Sequence, residues 1–154
     1  MFYLEDYFNG QCRARGVFEN RFGRVTRHFD IRVDGTWDGT QLTLEENVFF
    51  KDGAKDQRKW KIKKLSSHSY EGEANGIVGK AHGSVVDQTF HWRYQLHLRF
   101  GKRKFLTTFD DWMWHSNDGT VINRATISKF GITLGKTWLF FQRGPFPGTF
   151  GHSI

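Results

Sequence analysis

Residues 105–131, FLTTFDDWMWHSNDGTVINRATISKFG, are the stretch of sequence that decides the fold. Before the turn, successive residues point to opposite faces, and Phe109, Asp111 and Met113 share one of these faces. The Asn-Asp-Gly triplet at 117–119 favours a tight turn, because these residues tolerate the positive φ angles that hairpins need. Alternation resumes after the turn. The stretch therefore predicts one long β-hairpin.

Alternating segments of the same kind occupy most of the remaining chain. They are separated by turns at intervals of roughly 8 to 14 residues, which is typical of an all-β protein. We expect about ten strands and minimal helix, with Leu4–Phe8 forming either a short helical turn or a plug at a barrel mouth. The strand spacing alone leaves an up-and-down antiparallel barrel and a sandwich equally open.

The composition suits a single β-domain spanning residues 1–154. A chain of 154 residues can bury a real core, and its two Pro and three Gly beyond residue 143 predict an irregular tail from about residue 144. The sixteen Phe and six Trp are numerous enough either to fill a barrel or to line an apolar cavity. Cys12 is the single cysteine, which excludes an internal disulfide and predicts a small buried hydrophobe.

The amino terminus, MFYLEDYFNG, has neither the basic region nor the apolar region of a secretory signal. No apolar run is long enough to span a membrane as a helix. These features predict a cytoplasmic location, with membrane-peripheral binding as the alternative.

The net charge of +7 favours polyanions or anionic membrane surfaces as partners. The basic residues fall into stripes on the predicted outer faces, where a merely solvated surface is the common alternative. The stripes expected to bind anionic vesicles are Lys59, Lys61, Lys63, Lys102, Arg103 and Lys104. Nucleic acid is not expected as a partner, because the aromatic residues alternate away from the lysines and would not be available to stack on bases.

Several predicted inward faces break their apolar pattern with one ionisable residue, which is costly unless the charge is paired or used. These residues are Arg27, Glu46, Arg58, Asp111 and, less cleanly, Arg124 between Ile122 and Thr126. We expect them to converge in one buried cluster beside Trp60, Trp92 and Tyr94. The eight residues together are the candidate ligand-binding site.

Three interpretations of this cluster remain open. It can be a buried ion-pair network that fixes strand register and contributes little stability. It can be a polar anchor in which an Arg binds the carboxylate of a fatty-acid-like ligand while aromatic residues cover the tail. It can also be an active site in which Glu46 or Asp111 transfers protons, with a pKa raised by burial.

Other kinds of site have weak support in the sequence. The seven His show no zinc-ligand spacing, and neither a phosphate-binding Gly-rich loop nor a nucleophile elbow is present. We therefore expect no metal and no cofactor.

The motifs DDWMW, DGTVINRATISKFGI and LGKTWLFF resemble those of the bacterial family of unknown function numbered 3833. The earlier segments GVFENRFGRV, GTWDG, YEGEANGIVGKAHG and FHWRYQL are also similar to that family, so the resemblance covers about residues 4–143. Many family members are lipoproteins with a signal and a lipid-modified Cys, which this chain does not show. The family often has Asp-Asp-Val-Val-Gly where residues 74–79 here read ANGIVG.

The resemblance implies a lipocalin-type (calycin) barrel and so favours a barrel over a sandwich. Gene neighbourhoods with cyclopropane-fatty-acid-synthase-like enzymes imply a link to modified fatty acids. Our first hypothesis is a binding protein that holds a fatty-acid-like or other apolar ligand in the barrel. The alternatives are an enzyme that isomerises or modifies such a substrate in the same cavity, and a structural or membrane-docking barrel without a ligand.

Overall fold

The predicted hairpin is present as two long antiparallel strands within a closed barrel. The computed structural model describes residues 1–100 and 102–145. The elements in that part of the chain are α1 (Leu4–Phe8), β1 (Gly10–Asn20), β2 (Val25–Trp37), β3 (Gln41–Phe50), β4 (Lys55–Lys64), β5 (Ser69–Ala74), β6 (Ile77–Val86), β7 (Thr89–Phe100), β8 (Arg103–His115), β9 (Val121–Lys129) and β10 (Ile132–Arg143).

Every strand pairs antiparallel with its neighbours in sequence, and β1 pairs with β10 to close the barrel. The closing register runs from Cys12 opposite Arg143 to Asn20 opposite Gly135. Closure leaves no unpaired sheet edge among the described strands, which removes the usual route to edge-to-edge aggregation. The predicted up-and-down barrel of about ten strands, consistent with a lipocalin-like barrel, is confirmed, and the sandwich alternative is wrong.

Alternation along each strand separates the core from the surface. On β9, Val121, Asn123, Ala125 and Ile127 are buried inside the barrel, whereas the even-numbered residues between them face outward and are partly exposed. The same period of two places Trp92 on the inside of β7. The hydrophobic core is therefore the interior of the barrel, as expected for a small closed sheet.

The α1 segment closes one end of the barrel. Phe2, Leu4, Tyr7 and Phe8 are all buried there. The Tyr7 hydroxyl donates to the backbone carbonyls of Gly119, at 2.9 Å, and of a residue on β10. The segment is thus both the helical turn and the plug that the sequence suggested.

A polar contact at the plug joins α1 to β4 and β5. The Glu5 carboxylate accepts hydrogen bonds from the Lys64 ammonium and from the Tyr70 hydroxyl, the latter at 2.5 Å. Burial acts to raise the pKa of Glu5, but these hydrogen bonds outweigh burial, and the pKa is lowered. The contact fixes the orientation of the plug across neighbouring strands.

The other end of the barrel is its mouth. Inward side chains near α1, such as Leu42 and Phe90, are buried, whereas those near the far end of the same strands, such as Phe50 and Leu98, are partly exposed. The interior therefore contacts solvent through the end opposite α1.

The irregular tail predicted from about residue 144 falls mainly on residues 146–154, which lie outside the described residues. Across the part of the chain that is described, no helix has the length and apolar character needed to cross a bilayer.

Gly35 on β2 tests whether the plug holds the barrel together. A Cβ at this position would lie 1.7 Å from the backbone oxygen of Phe8, so alanine must displace the plug. We expect Gly35→Ala to cost about 1–3 kcal/mol, as overpacking does, which corresponds to about 2–4 °C of melting temperature per kcal/mol. Thr36→Ala, at an exposed outward position of the same strand, is the control. Equal melting temperatures for the two variants would contradict this view of the plug.

Candidate functional site

The barrel encloses a cavity of about 230 Å³ between α1 and the mouth. Leu4 and Phe8 of the plug form its floor, and aromatic and aliphatic side chains from nearly every strand form its wall. A concave, mostly apolar site with a few polar groups is the usual form of a small-molecule site. The cavity is therefore the candidate functional site.

Three aromatic rings predicted for this site lie together on one side of the wall. The Trp60 ring centroid is 4.8 Å from that of Trp92 and 5.2 Å from that of Tyr94. Gly72 on β5 leaves room for the two indoles, since a Cβ there would lie 2.6 Å from Trp92. A strand glycine thus serves close packing against the protein's own rings.

Glu46 and Arg58 are directly opposite each other on β3 and β4, and both line the cavity. Burial raises the pKa of Glu46 to about 7, although the Arg58 charge and a hydrogen bond from Trp60 act to lower it. Both side chains are partly exposed to the cavity. The pair places one permanent positive charge beside a carboxyl that titrates near neutrality.

Asp111 on β8 lies deeper and is 7% exposed. Its carboxyl accepts hydrogen bonds from the Asn123 amide and from the Trp92 indole, the latter at 3.3 Å. Burial nevertheless raises its pKa to about 7, and the nearby Glu46 contributes to the increase. Burial and the adjacent Asp111 also raise the pKa of Tyr94 well above its usual value.

These groups can change the charge of the cavity around neutral pH. With both carboxyls protonated, Arg58 leaves a positive interior; with both ionised, the interior becomes negative. The charge of Glu46 acts to raise the pKa of Asp111, so an ionised Glu46 makes ionisation of Asp111 less favourable. Such groups can donate a hydrogen bond to a ligand or exchange a proton with it.

Most of the predicted site residues do come together. The structure places Glu46, Arg58, Trp60, Trp92, Tyr94 and Asp111 in the wall of one cavity.

Arg27 does not belong to this group, and its predicted placement in the buried cluster is wrong. Its side chain is exposed near the mouth, where it lies 3.7 Å from the Phe50 ring centroid and forms an ion pair of 2.9 Å with Asp52. Arg27 continues the inward row of Phe29. The strand extends beyond the buried interior at Arg27, so its guanidinium is hydrated and needs no buried partner.

Arg124 faces outward, so its predicted place in the cluster is also wrong. Its guanidinium lies 5.3 Å from the Trp114 ring centroid and 6.0 Å from that of Trp138. In the register of β8 with β9, Met113 is opposite Asn123. Because paired residues share a face, the even-numbered residues of β9 point out of the barrel.

Asn123 is the site residue that the sequence analysis missed. It lines the cavity and donates hydrogen bonds to the Asp111 carboxyl and to the backbone oxygen of Trp112, the latter at 2.8 Å. The signal that could have found it is the length of the turn, since His115 pairs with Val121 across residues 116–120. A loop of that length keeps odd-numbered residues of both strands on one face.

No metal centre is indicated in residues 1–100 and 102–145. No three His, Cys, Asp or Glu side chains in this part of the chain are grouped so that they could hold a metal ion. The arrangement is instead that of an apolar cavity with titratable groups in its wall.

Comparison with known proteins agrees with the motif resemblance. The model of a family described as protein of unknown function, DUF3833, matches residues 1–143. A search of the curated proteins found no match to the chain. The family description names no activity or ligand, so the function is argued from the cavity itself.

The raised pKa values predict an effect of pH on stability. An unfolded carboxyl loses its proton near pH 4, whereas Glu46 and Asp111 in the folded barrel keep theirs to about 7. Their stabilising effect is therefore fully present below pH 4 and is lost as pH rises through the folded values. We expect the melting temperature of the wild type, relative to Glu46→Gln or Asp111→Asn, to fall between about pH 4.5 and pH 7.

Glu45→Gln provides the matched control, because Glu45 lies on the outer face of the same strand and is exposed. Its difference from the wild type should stay nearly constant over this pH range. If the melting temperatures of all three variants keep a constant difference from that of the wild type as the pH changes, the buried carboxyls titrate as surface groups do.

Proposed function

The chain belongs to the DUF3833 family, and we propose that its barrel binds a small lipophilic molecule, of the fatty-acid class or another apolar ligand with one polar group. The observation that carries this proposal is an apolar cavity, open at one end, with Arg58 in its wall. The apolar wall gains free energy by covering hydrocarbon. The guanidinium orients a ligand by hydrogen bonding to its polar group.

The size of the cavity limits what it can hold. A volume of 230 Å³ corresponds to about seven or eight waters at the density of the liquid. A ligand with about as many non-hydrogen atoms fits inside. A longer acyl chain extends through the mouth past Val48 and Phe50, which are partly exposed there.

The titrating carboxyls predict which form of the polar group binds. At pH values below about 7, Glu46 and Asp111 are mostly protonated and Arg58 favours a carboxylate ligand. At higher pH the two ionised carboxyls repel it. Asp56 also lines the cavity but is exposed to solvent, which screens its charge.

An enzyme acting on the same ligand class is the second candidate function. Glu46 and Asp111 have pKa values of about 7 in an apolar cavity, which suits proton transfer to or from a bound substrate. Isomerisation or another modification of a fatty-acid-like molecule would use them as acid and base. The third possibility is a structural barrel that holds no ligand.

A fluorescence titration tests the binding proposal, because Trp60 and Trp92 line the cavity and respond to its contents. Decanoic acid and decanol have the same chain length and different polar groups. We expect both to bind, and decanoic acid to bind more tightly at about pH 6 than at about pH 8. Ala125→Leu adds three carbon atoms to the wall and so narrows the cavity, which should weaken the binding of both ligands. Thr126→Leu, on the outer face of the same strand, should bind as the wild type does.

A second pair of variants tests the role of the guanidinium. We expect Arg58→Gln to weaken the binding of decanoic acid by about tenfold or more, which is the usual effect of losing a hydrogen bond to a charged group. Decanol should be affected much less. Lys59→Gln, exposed on the outside of β4, is the control. If neither ligand binds the wild type, or Ala125→Leu binds them unchanged, the cavity is not the ligand site.

Mass spectrometry of the recovered ligand separates a binding protein from an enzyme. An unchanged ligand after prolonged incubation supports binding alone. A product that forms with the wild type and fails to form with Glu46→Gln or Asp111→Asn supports the enzyme.

A further inference from the structure

Two neighbouring hairpin turns at the mouth expose large apolar side chains. Phe130, in the turn between β9 and β10, is 92% exposed, and Phe22, in the turn between β1 and β2, is 76% exposed. Val25 and Ile132, next to these turns, are 50% and 58% exposed. Because β1 pairs with β10, the two turns lie side by side.

The backbone at Phe130 makes this exposure unusual. Lys129 pairs with Ile132, so Phe130 and Gly131 form a two-residue turn, with φ angles of 51° and 74°. Positive φ at both positions favours Asn-Gly, and an aromatic residue adopts it only at a cost. Phe130 therefore gains neither burial nor a relaxed backbone, and the stability of the barrel does not explain its presence.

Basic residues flank the apolar turns on both sides. On one side, Lys51 lies in the turn between β3 and β4 and Lys55 begins β4. On the other, Lys102 lies in the turn between β7 and β8, and Arg103 and Lys104 begin β8. All five side chains are exposed. An apolar centre between cations has the chemistry of a protein surface that binds anionic lipid.

Acidic residues are also present near the mouth. Asp52 forms the ion pair with Arg27, so these two charges offset each other, and Glu19 accepts a hydrogen bond of 3.2 Å from the Trp138 indole. Asp56 lines the cavity and is exposed. The five exposed basic residues in and next to the flanking turns outnumber these carboxylates, so positive charge predominates at the mouth.

The turns at the end closed by α1 carry acidic residues in place of basic ones. Asp38, Asp87 and Asp118 lie in three of them. Asp87 is the other described non-glycine residue with positive φ, and Asp tolerates that conformation. The described turns thus give the barrel one basic and apolar end and one acidic end.

We propose that the mouth of the barrel docks onto a bilayer that contains anionic phospholipid. Phe22 and Phe130 enter the headgroup region, and the flanking lysines and arginine contact lipid phosphates. This places the opening of the cavity against the membrane, so that a lipophilic ligand can pass between bilayer and barrel without crossing water. Docking does not depend on the ligand proposal, since a barrel that binds nothing inside would dock in the same way.

The lysine stripe on the side of β4 is an alternative contact surface that the experiment must separate from the mouth. Lys59, Lys61 and Lys63 are exposed there. Lys59 lies 3.8 Å from Glu45, which partly offsets its charge. No large apolar side chain is exposed beside these lysines on β4, because Trp60 and Ile62 face the interior.

Flotation with liposomes tests the proposal. We expect the wild type to bind liposomes made from equal parts of phosphatidylcholine and phosphatidylglycerol at low salt, and not liposomes of phosphatidylcholine alone. Phe130→Asn should weaken binding by about tenfold, because it removes one inserted aromatic side chain. It should also raise the melting temperature, since Asn suits the turn. Val86→Asn, which changes a residue 68% exposed at the opposite end, should bind as the wild type does.

Two double variants locate the electrostatic contribution. Each basic residue at an anionic surface contributes about fivefold to affinity, so Lys102→Gln with Lys104→Gln should weaken binding by more than about tenfold. Lys61→Gln with Lys63→Gln should weaken it much less. The proposal is overturned if the wild type binds liposomes with and without phosphatidylglycerol equally, or if Phe130→Asn binds as tightly as the wild type. It is also overturned if the double variant of β4 loses as much affinity as the double variant at the mouth.

Discussion

Pairing of β1 with β10 is the constraint on which the rest of the structure depends. Once the sheet is closed, every strand has an inner and an outer face, and alternation along the strand decides which face each side chain occupies. Glu46, Arg58 and Asp111 are inside for this reason alone. The raised pKa values of Glu46 and Asp111 are a consequence of closure, because the same carboxyls on an outer face would remain hydrated and ionised at neutral pH.

The two ends of the barrel have different roles: one is closed by the plug, and the other gives access to the cavity. At one end, Glu5 fastens α1 to β4 and β5 through Lys64 and Tyr70, and the plug supplies the floor of the cavity. At the other end no such plug is found among the described residues, and the turns carry exposed Phe22 and Phe130. A cavity with one floor and one mouth gives a ligand a single direction of entry. The proposed membrane docking concerns the mouth, and the proposed ligand binding concerns the cavity behind it.

Alternation is a local property, so the residue pattern predicted the strands and most residues of the cavity, whereas the choice of a barrel over a sandwich came from the family resemblance. The strand bearing Asp111, and the approach of Glu46 to Arg58, follow from period-two patterns and turn residues. Arg124 was misplaced because the face of β9 depends on the length of the turn that precedes it, and Asn123 was missed for the same reason. Arg27 was misplaced because a pattern of faces does not show where a strand reaches solvent. Exposure of Phe130 in a strained turn is likewise a property of the folded chain.

The most direct test of the central claim is native mass spectrometry of the protein purified from its own host. An apolar cavity with a single mouth and one cationic group should retain a lipophilic molecule through purification. We expect an additional mass that is bound to the wild type, is released on denaturation, and is reduced in Ala125→Leu, whose cavity is narrower. Wild-type protein that carries no such mass, and acquires none when incubated with lipid extract from the host, would contradict it.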